Sequence, residues 1–139
     1  MVGASHTTNL RGSYDAPALI DYVLKNLIQE PPIFAQLRRE SAQDGLPPWS
    51  IGPLEGKILE FLTRAASAKK AVEIGTLGGY SGAWIAAALP AGGKLYTLEY
   101  DSKFARIAQK NFKSAGLSKK VEIVQGNALR TLPGLEPKG

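Results

Sequence analysis

Apolar residues recur at helical spacing in two segments before residue 48, and proline ends the first of them. The spacing predicts a helix that begins after Asp15 as N-cap and ends before Pro31-Pro32. Its apolar stripe is Leu19, Ile20, Val23, Leu24, Leu27 and Ile28. A second helix is predicted over 33–43, with Phe34 and Leu37 directed inward. Because both helices precede the regular pattern that follows, we interpret residues 1–48 as an N-terminal helical appendage.

From residue 49 onward, short apolar runs alternate with helical patterns and glycine turns. A helix over about 54–67 places Leu54, Ile58, Leu59, Leu62 and Ala65 on one side. Strands are predicted at 71–75, 94–100 and 121–126, with helices over 81–89 and from the N-cap Asp101 to Ala115. Gly116 stands where a left-handed C-cap belongs. This alternation predicts an α/β fold, with a parallel sheet and helices on both of its faces.

The predicted sheet stops after its third strand, since only a short helical turn follows Asn127. The strand that should lie on the far side of strand 71–75 is missing, so this strand would have an uncovered edge. We therefore interpret residues 49–139 as the first half of an α/β domain, and the chain as the N-terminal part of something larger.

Composition narrows the possible chemistry. The 139 residues are 44% hydrophobic, which suits one ordinary domain, and they include no cysteine. This excludes disulfides, thiol nucleophiles and thiolate metal sites within the chain. The one histidine, His6, lies in a polar tail, so a histidine base or a histidine metal cluster is not expected. No apolar run approaches the roughly 18 residues of a membrane span, and we expect a cytoplasmic protein.

The net charge of +5 comes from residues 101–139, which hold eight Lys and Arg against three Asp and Glu. Four of them, Lys103, Arg106, Lys110 and Lys113, fall at helical spacing opposite apolar residues, as on the solvated face of an amphipathic helix. No aromatic residues interleave with them to stack on bases, so nucleic acid is not an expected partner.

The stretch from Ala71 to Ser81 carries the most chemical information, because a strand leads through a glycine turn into a helix. Such turns hold nucleotide-like ligands. A dinucleotide fingerprint, Gly-x-Gly-x-x-Gly, would need glycine at Leu77 and Tyr80, and it fails at both. An NAD-dependent enzyme is therefore disfavoured. Gly75 and Gly79 still remove side chains where a ligand must lie against backbone.

Two acidic residues frame this turn. Glu73 precedes Gly75 by two residues, where it would repel a pyrophosphate and attract an ammonium group. Glu99 ends the second strand, where a carboxylate can accept hydrogen bonds from both ribose hydroxyls. A ligand with a cationic amino-acid end and a ribose end fits S-adenosylmethionine. Plainer roles remain open: Glu73 as a surface acid, Glu99 paired with a lysine, Ser81 as a helix cap, and Tyr80 as a packing residue.

Residues 72–81, Val-Glu-Ile-Gly-Thr-Leu-Gly-Gly-Tyr-Ser, resemble the first motif of the metal-dependent small-molecule O-methyltransferases. This family includes catechol and caffeoyl-CoA O-methyltransferases. Two further segments of the resemblance, which spans 49 to about 132, are Trp49-Ser50-Ile51-Gly52 and Gly126-Asn127-Ala128. The family usually has methionine in place of Trp49 and an acid in place of Asn127.

The resemblance implies a Rossmann-like S-adenosylmethionine-dependent methyltransferase fold. It implies cofactor contacts from Ile51, Glu73, Gly75, Thr76, Gly79, Ser81, Glu99 and Ala128. It also implies a small hydroxyl-bearing acceptor, a homodimer, and a Mg²⁺-type ion that holds the vicinal oxygens of a catechol-like acceptor. The family's metal ligands and catalytic lysine lie in later motifs that do not occur in this sequence, so no catalytic or metal-ligating residue is assigned.

The main hypothesis is therefore the cofactor-binding half of an O-methyltransferase, inactive by itself. The alternative from another class is a non-catalytic nucleotide-binding or regulatory module. This alternative predicts a stable monomer or dimer in which a partner chain could cover the open sheet edge.

Overall fold

A computed structural model describes residues 17–135 of the chain. The predicted cap at Asp15 and the tail residue His6 lie outside this range. The helices are α1 (Pro17–Asn26), α2 (Pro32–Gln43), α3 (Pro53–Ala65), α4 (Tyr80–Ala88), α5 (Ser102–Ser114) and α6 (Ala128–Thr131). The strands are β1 (Lys70–Ile74), β2 (Lys94–Glu99) and β3 (Val121–Gln125), and a 3-10 turn spans Leu132–Leu135.

The strands form one parallel sheet in the order β1-β2-β3. Alternate side chains along each strand, among them Leu95, Val121 and Ile123, pack against α4 and α5. The predicted fold class is therefore confirmed as a parallel, Rossmann-like sheet flanked by helices. The predicted caps of α5 are present too, since the Asp101 carboxylate accepts from the Lys103 and Phe104 amides and Gly116 has φ +71°.

The second N-terminal helix packs directly on the α/β core. Phe34 and Leu37 are 5% and 0% exposed, which confirms their predicted inward orientation. The Phe34 ring meets the buried Trp84 ring of α4 edge to face, with centroids 5.2 Å apart. Burial of two large side chains against α4 is an apolar contribution of several kcal/mol, at roughly 1.5–3 kcal/mol per side chain. This contact places α2 beside the glycine turn.

The predicted apolar side of α3 is buried only in part, because Leu54 and Leu59 are half-buried whereas Ile58 and Leu62 are 46% and 54% exposed. The buried position of this helix is Gly56. A Cβ atom at Gly56 would overlap the indole of Trp84, so the glycine lets the ring lie against the backbone of α3. The periodicity identified the most apolar side of α3. The side that packs on α4 is instead the one that contains Gly56, because the Trp84 ring lies directly against it.

The sheet face opposite α4 and α5 is partly open among residues 17–135. Val72 and Ile74 of β1 are 49% and 65% exposed there, and in this range β1 pairs with β2 alone. The uncovered edge expected for β1 is thus a feature of the described structure. None of the described helices combines the length and the apolar character needed to cross a bilayer.

The basic residues of α5 lie on its solvent side, as predicted. Lys103, Arg106, Lys110 and Lys113 are exposed, whereas Ala108 and Phe112 on the opposite side are buried. Lys110 also makes ion pairs with Glu40 and Asp44 of the α2 region, at 3.7 and 3.1 Å. The basic residues of α5 therefore form the solvent-exposed face of an amphipathic helix.

Candidate cofactor site

The carboxyl ends of the three strands meet at one edge of the sheet. The Gly75 amide donates to the Leu98 carbonyl at 2.9 Å, and the Gly126 amide donates to the Glu99 carbonyl at 2.8 Å. These bonds bring the turn after β1, the end of β2 and the start of α6 side by side. In open α/β sheets, this edge is where ligands bind.

The turn after β1 has the backbone conformation that its glycines predict. Gly75 and Gly79 have φ +89° and +79°, and Leu77 between them is also left-handed at φ +50°. A Cβ atom at Gly75 would meet no atom within 4 Å, whereas one at Gly79 would lie 2.7 Å from Cζ of Phe112. Gly75 therefore leaves open space beside the backbone, and the space left by Gly79 is filled by the Phe112 ring.

Glu99 organises the turn through its carboxylate. Its Oε2 accepts hydrogen bonds from the Thr76 and Leu77 amides at 3.0 and 2.8 Å, and its Oε1 accepts from the Asp101 amide at 2.9 Å. The side chain is 7% exposed. It makes no ion pair among the described residues, so the lysine-paired alternative receives no support in this range.

Glu73 lies on the α4 face of the sheet in a chain of hydroxyl groups. The Ser81 hydroxyl donates to its Oε1 at 2.5 Å, and the Thr97 hydroxyl donates to its Oε2 at 2.7 Å. Burial raises the pKa of Glu73, the two hydroxyl donors lower it, and the nearby Glu99 charge raises it further. The surface-acid alternative for Glu73 is therefore wrong.

Ser81 does not cap α4. The N-cap is Gly79, and no side chain caps this helix end, because the Ser81 hydroxyl is directed to Glu73. The capping role that the sequence left open for Ser81 is thus excluded. Packing is confirmed for Tyr80, which is 4% exposed.

The remaining predicted residues lie at the rim of the same edge. Ile51 lines a cavity of about 310 Å³ together with Leu77, Gly78 and Tyr80. Ala128 begins α6, and the Asn127 side chain caps that helix by accepting from the Leu129 amide at 2.9 Å. An aspartate would make the same cap, which explains how Asn127 is accommodated. Trp49, the other departure from the family pattern, is 75% exposed.

Sequence reasoning missed Asn111, which anchors the glycine turn from α5. Its side-chain amide donates to the Gly78 carbonyl at 2.8 Å and to the Ser41 hydroxyl at 3.0 Å, and the residue is fully buried. The available signal was a polar residue on the apolar side of α5, next to Phe112. Buried polar side chains require partners, and here the partner is the turn itself.

Tyr80 connects the glycine turn to the segment between α1 and α2. Its hydroxyl donates to Glu30 at 2.6 Å, and Glu30 also accepts two hydrogen bonds from Arg38 at 3.1 and 2.9 Å. The Arg38 guanidinium lies 5.5 Å from the Tyr80 ring centroid. Burial and the bond to Glu30 raise the pKa of Tyr80, so the hydroxyl remains a donor.

Replacing Tyr80 by phenylalanine should lower the free energy of unfolding by about 1–2 kcal/mol, because a buried hydrogen bond to a carboxylate is lost. Urea denaturation followed by circular dichroism measures this change. Tyr100→Phe is the matched control, since Tyr100 is 77% exposed and should give an unchanged midpoint. Equal midpoints for Tyr80→Phe and the unmodified protein would show that the bond to Glu30 contributes nothing.

A model of the O-methyltransferase family matches residues 25–139 of this chain. The chain belongs to the O-methyltransferase family. This result confirms the resemblance drawn from the glycine turn and from Glu73 and Glu99. It gives no support to the alternative of a non-catalytic module.

Two similar proteins of the family are catechol O-methyltransferases. The one from Niastella koreensis is 48% identical over 98 residues, which are 70% of this chain and 44% of that protein. The one from Mycobacterium tuberculosis is 39% identical over 121 residues, covering 87% of this chain and 54% of that protein. This chain therefore spans about half the length of the relatives it matches.

Solved structures of the family share the fold. The O-methyltransferase from Bacillus cereus, in complex with S-adenosylhomocysteine, superposes with a TM-score of 0.82 at 37% identity, covering 88% of this chain and 56% of that one. TomG from Streptomyces achromogenes, in complex with S-adenosylmethionine, gives a TM-score of 0.81 at 34% identity and covers 88% and 55%.

Among residues 17–135, His, Cys, Asp and Glu form no group of three or more that could hold a metal ion. The acidic residues at the sheet edge, Glu73 and Glu99, instead accept hydrogen bonds from hydroxyl and amide groups. Residues 17–135 of this member of the O-methyltransferase family thus contain no cluster of acidic side chains for a divalent ion.

Proposed function

We propose that this chain binds S-adenosylmethionine at the carboxyl edge of its sheet. It would form the cofactor-binding part of an O-methyltransferase that methylates a hydroxyl of a small, catechol-like aromatic acceptor. One observation carries the proposal: the half-buried carboxylate of Glu73 and the buried carboxylate of Glu99 flank the glycine turn, and neither makes an ion pair within residues 17–135. Uncompensated negative charge at a ligand edge favours a cationic ligand.

The chemistry of the surrounding groups fits S-adenosylmethionine. Its amino-acid ammonium group and its sulfonium are cationic and suit Glu73, and its ribose hydroxyls can donate to Glu99. Open space beside Gly75 lets the ligand approach the backbone. Thr76, Gly79 and Ser81 would support these contacts by shaping the turn, while Ile51 and Ala128 would border the two ends of the ligand.

When bound, this cofactor supplies an electrophilic methyl group. The residues of this chain would bind and orient it, and such alignment supplies a large share of the rate of a transfer reaction. The acceptor class is proposed from the names of the Niastella and Mycobacterium relatives. A Mg²⁺-type ion does not fit the described residues, so no metal-dependent step is assigned to them. The cytoplasmic location and the homodimer stay predictions from the sequence.

Calorimetric titration of the chain with S-adenosylhomocysteine tests the proposal. We expect saturable binding to one site per chain, because the turn and both carboxylates are already arranged. NADH is the matched control and should not bind, since Leu77 and Tyr80 occupy positions where a dinucleotide turn needs glycine. Absence of binding by S-adenosylhomocysteine, or equal binding by NADH, would contradict the proposed function.

A further inference from the structure

Thr97 lies at the centre of the hydrogen-bonded hydroxyl groups, and it contacts both Glu73 and the glycine turn. It is 0% exposed in the middle of β2. Its hydroxyl donates to Glu73 at 2.7 Å and lies 2.6 Å from the hydroxyl of Thr76 in the glycine turn. A hydroxyl group has one proton to donate. Because the proton of Thr97 goes to Glu73, the Thr76 hydroxyl must be the donor to Thr97.

The direction of these hydrogen bonds affects the charge of Glu73. Thr76 donates to Thr97, which donates to Glu73, so both hydroxyl dipoles point their positive ends toward the carboxylate. Hydrogen-bond chains with aligned dipoles polarise one another, and donors to a carboxylate favour its ionised form. Ser81 adds a second donor from α4.

The other groups around Glu73 oppose ionisation or are neutral. From β2, the Glu99 carboxylate acts on it as a like charge, and burial disfavours its charged form. From α4 come the Ser81 hydroxyl and Gly82, and from α5 comes the apolar Phe112 ring near Gly82. No lysine, arginine or histidine forms an ion pair with Glu73 within residues 17–135. Neutral hydroxyl donors therefore stabilise the ionised form of Glu73, as a cation would in a salt bridge.

We propose that Thr97 is a positioning residue for cofactor recognition, whose hydroxyl, backed by that of Thr76, orients the Glu73 carboxylate and keeps it charged to attract the cationic end of S-adenosylmethionine. This inference rests on the proposed function. It adds a residue outside the glycine turn and explains why a threonine, rather than an isosteric valine, stands in the interior of β2. A Thr97 that served packing alone would leave the charge of Glu73 unaffected by its replacement.

The test compares Thr97→Val with Thr97→Ser, because valine keeps the shape and serine keeps the hydroxyl. S-adenosylmethionine is titrated calorimetrically into each variant of the 139-residue chain across the acidic to neutral pH range. Affinity should fall as pH is lowered and Glu73 takes up a proton. In Thr97→Val the midpoint of this fall should move to higher pH, with about tenfold weaker binding at neutral pH. Thr97→Ser should keep the midpoint of the unmodified protein.

The carbon-13 chemical shift of the Glu73 carboxyl, followed by NMR without ligand, reports the same titration independently of binding. Its midpoint should rise in Thr97→Val and, by a smaller amount, in Thr76→Val. The second variant keeps the test decisive if Thr97→Val does not fold. Binding by the unmodified protein together with unchanged midpoints in the valine variants would overturn the role of Thr97 alone. Absence of S-adenosylmethionine binding by the unmodified protein would overturn the proposed function and this inference together.

Discussion

Glu99→Ala is expected to weaken S-adenosylhomocysteine binding by about 100-fold or more, since hydrogen bonds to a charged group contribute about 1.5–3 kcal/mol each. The alanine removes the proposed acceptor of the ribose hydroxyls. It also leaves the Thr76 and Leu77 amides without the carboxylate that now binds them. The free energy of unfolding should therefore fall as well, by about 2–4 kcal/mol. Calorimetric titration and urea denaturation measure the two effects separately.

Two further variants separate these effects. Glu99→Gln keeps one oxygen that can accept from Thr76 and Leu77, but it places an NH₂ group against the Asp101 amide or the ribose, so both losses should be intermediate. Glu122→Ala is the matched control, because the Glu122 side chain is 52% exposed and, among residues 17–135, makes only an ion pair with Lys94, with Oε2 3.7 Å from Nζ. It should change neither quantity measurably. Unchanged ligand affinity in a folded Glu99→Ala protein would exclude the ribose-binding role.

Gly79→Ala should lower the free energy of unfolding by about 2–4 kcal/mol, through the sum of two effects. The alanine must adopt φ +79°, and its Cβ atom would lie 2.7 Å from Cζ of Phe112, a ring that is 2% exposed. The ring cannot move aside without disturbing the core, and the same turn carries Thr76 and leads into α4, which contains Ser81. Urea denaturation of the variant measures the loss.

The chain contains a matched control for the backbone part of this effect. Gly92 also has φ +79°, but a Cβ atom there would meet nothing within 4 Å. Gly92→Ala should therefore cost only about 1 kcal/mol, the strain of the left-handed conformation. The difference between the two variants measures the contact with Phe112. Equal losses would show that the ring adapts freely. Adding Phe112→Leu should restore part of the stability of Gly79→Ala and leave Gly92→Ala unaffected.

Local patterns predicted most of the fold because they depend on neighbouring residues. The alternation of strands and helices, the Asp101 cap and the left-handed Gly116 all follow from periodicity and from the conformational preferences of single residues. The observed bounds differ from the predicted ones by a residue or two at most ends, where helices and strands fray. The same reasoning places Glu73, Gly75 and Glu99 at one edge of the sheet, because the carboxyl ends of parallel strands meet there.

The packing side of α3 could not be predicted in this way. The periodicity selected the stripe with Ile58 and Leu62, whereas the structure buries Gly56 under the Trp84 ring. Which stripe faces the core depends on where α4 lies, and α4 is distant in sequence. Asn111 and Tyr80 show the same limit, because their partners at Ser41, Gly78 and Glu30 are 33 to 70 residues away.

The amino-acid sequence by itself determined the strand-turn-helix unit at 71–81, the acids that frame it and the family to which the chain belongs. Only the tertiary structure decided what those groups do. It showed that the Ser81 hydroxyl donates to Glu73 rather than capping α4, and that Glu99 binds the turn through backbone amides. It also showed that Thr97 links Glu73 to Thr76 of the turn. The physical reason is that hydrogen bonds and steric contacts act over a few ångströms in space. Glu73, Thr97 and Ser81 come within that distance only after β1, β2 and α4 have packed together.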